Sequence, residues 1–440
     1  MPHFLKPAEG SWTEHYPHLG TGPVTYEDSI SPEFYELERE AIFRRTWLNV
    51  GRVEQIPRIG SYFTRELDVI PASIVIVRSG PDEVRAFHNV CRHRGNKLVW
   101  QDYPREETAG TCRQFQCKYH GWQYSLEGDL TFVQQEEEFF DLDKALYGLD
   151  PVRVDTWEGF IFVNFDAADP APLREYLGHL AAGLEGYPFG AMTQVYKYRA
   201  EVNSNWKLYI DAFAEFYHAP VLHAKQYVSD ESTKLIGHGF EALHYELDGP
   251  HGMVSSWGGM APPKDESMVK PIERILRSGN FGAWDRPDVP GLDHLPAGLN
   301  PAQSRTWGLD SHVFFPNFMV LVWATGWYLT YHYWPVAHDR HIFEGTLYFA
   351  PAKTARDRLR QEMAAVTFKE FGLQDCNTLE ATQTMLETRA ITEFPLCDQE
   401  ILVRHLHHTA REFVEAYQED RDPAQAANLG GESSTAVRSA

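Results

Sequence analysis

The sequence predicts an α+β chain in which a small all-β domain precedes a larger domain of strands and helices. Three observations predict it. From Leu48 to Phe165, β-branched or aromatic runs such as "SIVIVRS", "VRAFHNV", "FQCKYHGWQYS" and "GFIFVNF" are separated by Gly, Pro and Asp. After Phe165, helical patterns at 205–218 and 355–389 alternate with strand patterns around "HVFFPNFMVLVW" and "WYLTYHYWPV". A length of 440 residues leaves room for two or three domains.

Taken in order, "SPEFYELEREAIFRRTW" (31–47) opens with Ser-Pro and spaces Phe34, Leu37, Ile42 and Phe43 as a helix face does. Residues 1–47 are therefore expected to form a helical segment packed on the larger domain. The β domain is expected at 48–165, and "DAADPAPLREYL" (166–177) reads as a linker entering a helix. The larger domain is expected to run over 166–420. Within it, the Gly/Pro-rich region from Gly239 to Pro301 suits a lid or pocket wall. "QEILVRHLHHTAREFVEAYQ" is an amphipathic helix pattern, and 421–440 has the composition of a disordered tail.

Composition removes several function classes. Basic residues number 40 against 62 acidic, a net charge of −22, so the surface would repel phosphate backbones and nucleic acid is disfavoured as a partner. No apolar run approaches the roughly 20 residues needed to cross a bilayer. The start, "MPHFLKPAEGSW", lacks the charged-then-apolar architecture of a signal peptide. Five cysteines in so long a chain are not a disulfide framework, and a reducing, cytoplasmic location is the expectation.

Two cysteine–histidine pairs stand out. Cys91-x-His93 lies in "HNVCRHRGNKLVW", and after 23 residues comes Cys117-x-x-His120 in "CKYHGW". One such pair alone is more simply a buried thiol and a hydrogen-bonded imidazole. Two within one β segment point to a metal centre. Zinc held by two Cys and two His is one option, but zinc fingers usually pair like with like. A two-iron, two-sulfide cluster with thiolates on one iron and imidazoles on the other fits the alternating order better. It also explains Arg92 and Arg94. Two sulfides and two thiolates balance two ferric ions, so one added electron makes the centre negative, and the arginines then stabilise it.

"CRHRG" with "CKYHGW" resembles the Rieske domain of ring-hydroxylating oxygenases, the large (α) subunits of bacterial aromatic dioxygenases. The resemblance implies that Cys91 and Cys117 hold one iron and His93 and His120 the other. It also implies a helix-grip-like catalytic domain, an antiparallel sheet wrapped around helices. The spacer is longer than the family's, so "WQDYPREETAGT" is expected to form an extended hairpin or loop.

A second constellation lies in "NWKLYIDAFAEFYHAPVLH" (205–223). His218 and His223 are five apart, about 140° on an unbroken helix, and Pro220 between them is expected to break the helix so that the rings converge. Two histidines and a carboxylate make the facial triad of a non-haem Fe(II) oxygenase. Asp375, in "GLQDCNTLEATQTML", is the best candidate, with Glu370 and Glu380 as alternatives. The resemblance favours Asp375, because relatives carry their third ligand in a similar Asp-containing helix. Glu215, three before His218, lies on the same helix face and is expected to accept a ring N–H from it.

Further implications of the resemblance concern partners. Electrons from NAD(P)H would arrive through a ferredoxin and/or a reductase. They would then cross a subunit interface from His93 or His120 to Glu215 and His218. The assembly would be a homotrimer (α3), or α3β3 if a small β subunit is present. The expected reaction is cis-dihydroxylation of an aromatic substrate, polycyclic or carboxylated; the alternative is mono-oxygenation or demethylation of an aryl ether, amine or steroid-like molecule. Basic residues of 91–120 would steer an acidic ferredoxin, or else simply belong to a solvated loop. Phe213, Phe216, Tyr217 and Trp323 suit an apolar pocket, and Lys270, Arg274, Arg277 and Arg286 are candidates to hold a carboxylate.

Overall fold

The computed structural model describes residues 12–223, 242–257, 267, 269–279, 282–305 and 307–421. The expected disordered tail beyond Arg421 and parts of the Gly/Pro-rich region lie outside the described residues. Among those residues, no helix is long and apolar enough to cross a membrane.

The N-terminal segment contains helix α1 (Pro32–Glu38), begun by Ser31, whose hydroxyl accepts the Phe34 N–H at 3.1 Å, with proline in the first turn where its missing N–H costs nothing. A π-turn, Arg39–Phe43, comes directly after it. Next come β1 (Leu48–Arg52), β2 (Ser61–Leu67), β3 (Ala72–Arg78), β4 (Val84–His88) and β5 (Ala109–Thr111). A small antiparallel sheet holds β6 (Phe115–Gln116), β7 (Gln123–Tyr124) and β8 (Leu130–Phe132). With β9 (Pro151–Trp157) and β10 (Phe160–Asn164), the main strands make a seven-stranded sheet of order β1-β10-β9-β4-β3-β2-β5. The 100–111 segment is a loop whose end, β5, pairs with β2 through Ser61↔Thr111.

After helix α2 (Leu173–Ala182), a second sheet takes over. Its strands are β11 (Gln194–Val202), β12 (Ala242–Asp248), β13 (His251–Trp257), β14 (Trp307–Phe314), β15 (Phe318–Trp323), β16 (Trp327–Ala337) and β17 (Arg340–Phe349). Their order is β11-β17-β16-β15-β14-β13-β12, antiparallel throughout. Short helices α3 (Trp206–Asp211) and α4 (Ala219–Leu222) succeed β11 in the chain; α5 (Ala355–Leu386) and α6 (Ile401–Arg421) come last. A Thr354–Asp357 capping box starts α5, with Asp357 N–H to Thr354 Oγ1 at 3.1 Å.

The central strands β14–β16 of the second sheet are buried on both faces, and their period-2 alternation sorts residues between two neighbours. Even-numbered side chains of β16 face the first sheet: His332 Nε2 meets Asn49 Oδ1 at 2.8 Å. On the same side Phe318 packs on Phe160 at 5.5 Å, and Arg65 Nη2 donates to Glu344 Oε2 at 2.9 Å. Odd-numbered ones face the helices: Tyr333 packs on Tyr209 at 5.6 Å and Tyr331 on Phe213 at 4.7 Å. The sheet is thus a shared wall between the β domain and the α3–α5 layer.

One expected element is corrected. The helix expected over 205–218 ends at Asp211, and Pro220 sits in the first turn of α4 rather than breaking a longer helix. Phe213 N–H returns to Ile210 O at 2.8 Å, an i→i−3 bond that tightens the helix end into a turn.

Candidate iron–sulfur and mononuclear iron sites

The two cysteine–histidine loops are built alike. Gly95 N–H closes the first onto Cys91 O at 3.1 Å, and Gly121 N–H closes the second onto Cys117 O at 3.0 Å. Both glycines have positive φ, 70° and 73°, which a residue with a Cβ adopts only under strain. The loops lie against each other. Cys91 and Cys117 are buried, and the His93 and His120 ring centroids are 4.6 Å apart. His93 stacks on Trp122 at 4.8 Å, and its Nδ1 is buried with no hydrogen-bond partner. Burial, then His120 and Arg94, lowers the His93 pKa from the ordinary histidine value. Tyr124 places its hydroxyl 3.3 Å from Cys91 Sγ while accepting the Arg92 N–H at 3.0 Å.

Three of the six basic residues of 91–120 are committed locally. Arg92 pairs with Asp150, Lys97 with Glu66 at 2.6 Å, and Lys118 donates to Trp100 O at 2.6 Å. Of the two readings of 91–120, a steering patch or a solvated loop, these three residues contribute paired rather than free charges to either.

The second constellation converges beside the helix layer. His218 Nε2 and His223 Nε2 lie 3.1 Å apart, and Asp375 Oδ1 is 3.7 Å from the first and 3.4 Å from the second. The outward nitrogens are held: His218 Nδ1 meets Glu215 Oε1 at 2.6 Å, and His223 Nδ1 meets Gln374 Oε1 at 2.7 Å. Both rings thus carry their proton on Nδ1 and turn a lone pair toward Asp375. Burial alone would lower the His218 pKa, but the hydrogen bond and charge of Glu215 and the charge of Asp375 raise it. Asp375 is 1 % exposed, and neither carboxylate oxygen has a hydrogen-bond partner. An ion this deep is costly unless paired, and a bound dication satisfies it. Donor set and burial therefore both fit a mononuclear metal.

The alternatives to Asp375 point elsewhere: Glu370 is exposed, and Glu380 Oε1 accepts Asn203 N–H at 2.9 Å. Other expectations change too. Tyr217 is 63 % exposed, whereas Trp323 is buried and stacks on Trp327 at 4.2 Å. Arg277 is paired with Asp285 at 3.0 Å, Arg286 donates to Ala324 O at 2.7 Å, and Lys270 and Arg274 are exposed. None of these four lines the cavity beside the triad. Gln374, Trp122 and Tyr124 were not legible as functional residues, although Gln374 and Trp122 stand within two positions of a proposed ligand.

Comparison with known proteins matches this architecture. Residues 189–416, more than half of the chain, match the model of the ring hydroxylating alpha subunit (catalytic domain), and residues 46–148 match that of the Rieske 2Fe–2S domain. The protein belongs to the family of Rieske-type ring-hydroxylating oxygenase α subunits, whose cofactors are a 2Fe–2S cluster and a mononuclear iron. The biphenyl 2,3-dioxygenase α subunit of Rhodococcus jostii is 37 % identical over 210 residues, 45 % of this chain and 42 % of that protein. The glycine betaine monooxygenase oxygenase subunit of Pseudomonas aeruginosa is 32 % identical over 189 residues, 43 % of this chain and 42 % of that one. Each match thus spans less than half of the relative's own length. Among solved structures, the quaternary ammonium Rieske monooxygenase CntA with L-carnitine superposes with a TM-score of 0.67 at 18 % identity, covering 93 % of this chain and 99 % of that one. Naphthalene 1,2-dioxygenase with indole bound gives 0.67 at 21 % identity, covering 93 % and 96 %. These two show a shared fold.

Proposed function

We propose that the protein is the terminal oxygenase component of a multi-protein system, inserting oxygen from O2 into an apolar aromatic substrate as a cis-diol. The observation that carries this is the convergence of His218, His223 and Asp375, with Glu215 and Gln374 fixing both imidazoles. A ferrous ion held there would supply O2 activation, which no side chain provides. Cys91, Cys117, His93 and His120 would hold the cluster.

The chain's own residues do the rest. Glu215 keeps the Nδ1 proton on His218 and faces a cavity of about 230 Å³ shared with Asp211, His218 and Asp375. Tyr217 and Val221 beside it are 63 % and 84 % exposed, so this edge reaches the surface. The Cys/His loops belong to the domain packed on the opposite face of the shared sheet. That supports electron entry from a second copy, His93 or His120 approaching Glu215, in a trimer with or without β subunits. Ferredoxin and/or a reductase would supply the electrons from NAD(P)H. Near the triad Phe371 meets the His223 ring at 4.8 Å, and the cavity beside Glu215 is walled largely by apolar side chains, Leu208, Leu222, Leu379 and Phe394 among them. Such a wall excludes water and suits a flat ring system.

A second reading, mono-oxygenation or demethylation of an amine, is favoured by the glycine betaine relative, since aromatic faces also attract a quaternary ammonium. Turnover under labelled O2 with a panel of arenes, aryl ethers and quaternary amines separates the two. Two labelled oxygens in an arene product support dihydroxylation, and one labelled oxygen or a lost methyl group supports the second reading.

A further inference from the structure

Helix α3 ends at Asp211, although "DAFAEFYHAP" contains no glycine and no proline before Pro220. Its last residue is held from outside. Asp211 Oδ2 lies 3.1 Å from Nε2 of His407, a fully buried side chain of α6. His407 Nδ1 reaches Asp28 Oδ2 at 2.9 Å, in the single helical turn Glu27–Ile30, and Arg411 donates to the same oxygen at 3.2 Å. One turn earlier on α3, Lys207 Nζ, also fully buried, donates to Glu38 Oε1 at 2.6 Å and to Asp28 O at 2.9 Å. Trp206 Nε1 adds a bond to Glu38 Oε2 at 3.2 Å. Helix α3 is therefore gripped by charges from the N-terminal segment and from α6. Asp28 and Glu38 both lie outside the two stretches matched to the family models.

We propose that Asp28, His407 and Asp211 act as an ionic pin that fixes where α3 stops and thereby positions Glu215 and His218 for metal binding. This rests on the reading that the triad holds a metal. Only three residues separate Asp211 from Glu215, and Glu215 itself caps the next turn by accepting the Tyr217 and His218 N–H groups. The His218 ring is thus set by a short span anchored at both ends. A slip of one residue at the helix end would turn the residues beyond it by about 100°, whereas a metal site tolerates roughly 0.5 Å. Burial opposes charge on His407, but the Asp28 and Asp211 carboxylates outweigh it and raise its pKa to about 10, so the imidazole at the centre of the pin stays protonated at neutral pH.

The test separates positioning from mere stability. In the full chain with its cluster loaded and the mononuclear site stripped by chelator, Co(II) is titrated and its ligand-field spectrum recorded. Asp211→Asn, which keeps shape and removes charge, is expected to weaken Co(II) binding roughly 10- to 100-fold, the range seen when partners of metal ligands are lost. The visible spectrum of the cluster is expected to stay unchanged. His407→Asn is expected to act in the same direction, and Asp28→Asn, remote from the triad, more weakly. Should His407→Asn fail to fold, the two aspartate variants carry the test. Variants that melt earlier yet bind Co(II) like the wild type would overturn the pin. A wild type whose Co(II) binding is indifferent to His218→Ala would overturn the metal reading beneath it.

Discussion

Gln374 Oε1 stands 2.7 Å from Nδ1 of His223, while Asp375, its neighbour on α5, faces Nε2 of the same ring at 3.4 Å. Consecutive residues of one helix thus grip both nitrogens of one imidazole. The amide fixes the tautomer, and the carboxylate stands where a metal would bind. Gln374→Leu is expected to lower iron affinity by roughly 10- to 100-fold. Iron content after dialysis against a chelator measures it, with the cluster's inorganic sulfide as internal control. Retention equal to wild type would show that the Gln374 contact is incidental.

Tyr124 accepts the Arg92 N–H, which leaves its own hydroxyl proton directed at Cys91 Sγ. With Cys91 as the proposed cluster ligand, a hydrogen bond to its sulfur would favour the reduced, more negative cluster. Tyr124→Phe is therefore expected to lower the reduction potential without loss of the cluster. Spectroelectrochemical titration reads the shift, and an unchanged or higher potential would count against the assignment.

The joint between the sheets rests on Arg65 and Glu344, whose side chains are 9 % and 5 % exposed. Burial alone would raise the Glu344 pKa, but Arg65 and Lys197 hold it far below the usual carboxylate range. Removing one partner of a buried pair typically costs about 3–5 kcal/mol. Arg65→Met is expected near the low end, because Lys197 and Arg199 remain 3.4 and 3.5 Å from Glu344. Urea unfolding at neutral pH measures it, and a loss below about 1 kcal/mol would remove the pair from the account of the joint.

Several buried histidines are held neutral. His312 has both ring nitrogens unpartnered and stacks on Phe314, and burial lowers its pKa to about 4. In the unfolded chain it takes a proton near the ordinary value of about 6.5. Between those values the unfolded state binds more protons, so stability falls as pH drops from about 6.5 toward 4. His251, His341 and His405 act in the same direction, each also lowered to about 4. His312→Phe keeps a stacked ring and removes one titration. Its unfolding free energy is expected to decline less steeply, by about 1.4 kcal/mol per pH unit in that window. Parallel pH profiles for the two proteins would contradict the assignment.

The sequence by itself determined the chemistry of the donors and the type of most elements. Cys91, His93, Cys117 and His120 are legible because their spacing is local, each pair set in one short loop closed by its own glycine. Central strands such as Ala72–Arg78 and Trp327–Ala337 were legible because β-branched and aromatic runs are local as well, whereas Ala242–Asp248 and His251–Trp257 are sheet strands inside the stretch read as a Gly/Pro-rich lid or pocket wall. Tertiary structure decided what depends on residues far apart in the chain. Asp375 meets His218 and His223 only because α5 crosses the sheet beside α3, and from the sequence Glu370 and Glu380 stood as alternatives. Helix α3 stops at Asp211, well before the Pro220 that suggested a break, and its end is held by His407, nearly 200 residues downstream. Arg92, read from the sequence as a counter-charge to the cluster, and Lys97, read as part of a basic patch, are paired in the fold with Asp150 and Glu66. Local spacing can specify a ligand type, but burial, pairing and helix termination are set by the distant side chains that the fold brings within hydrogen-bond reach.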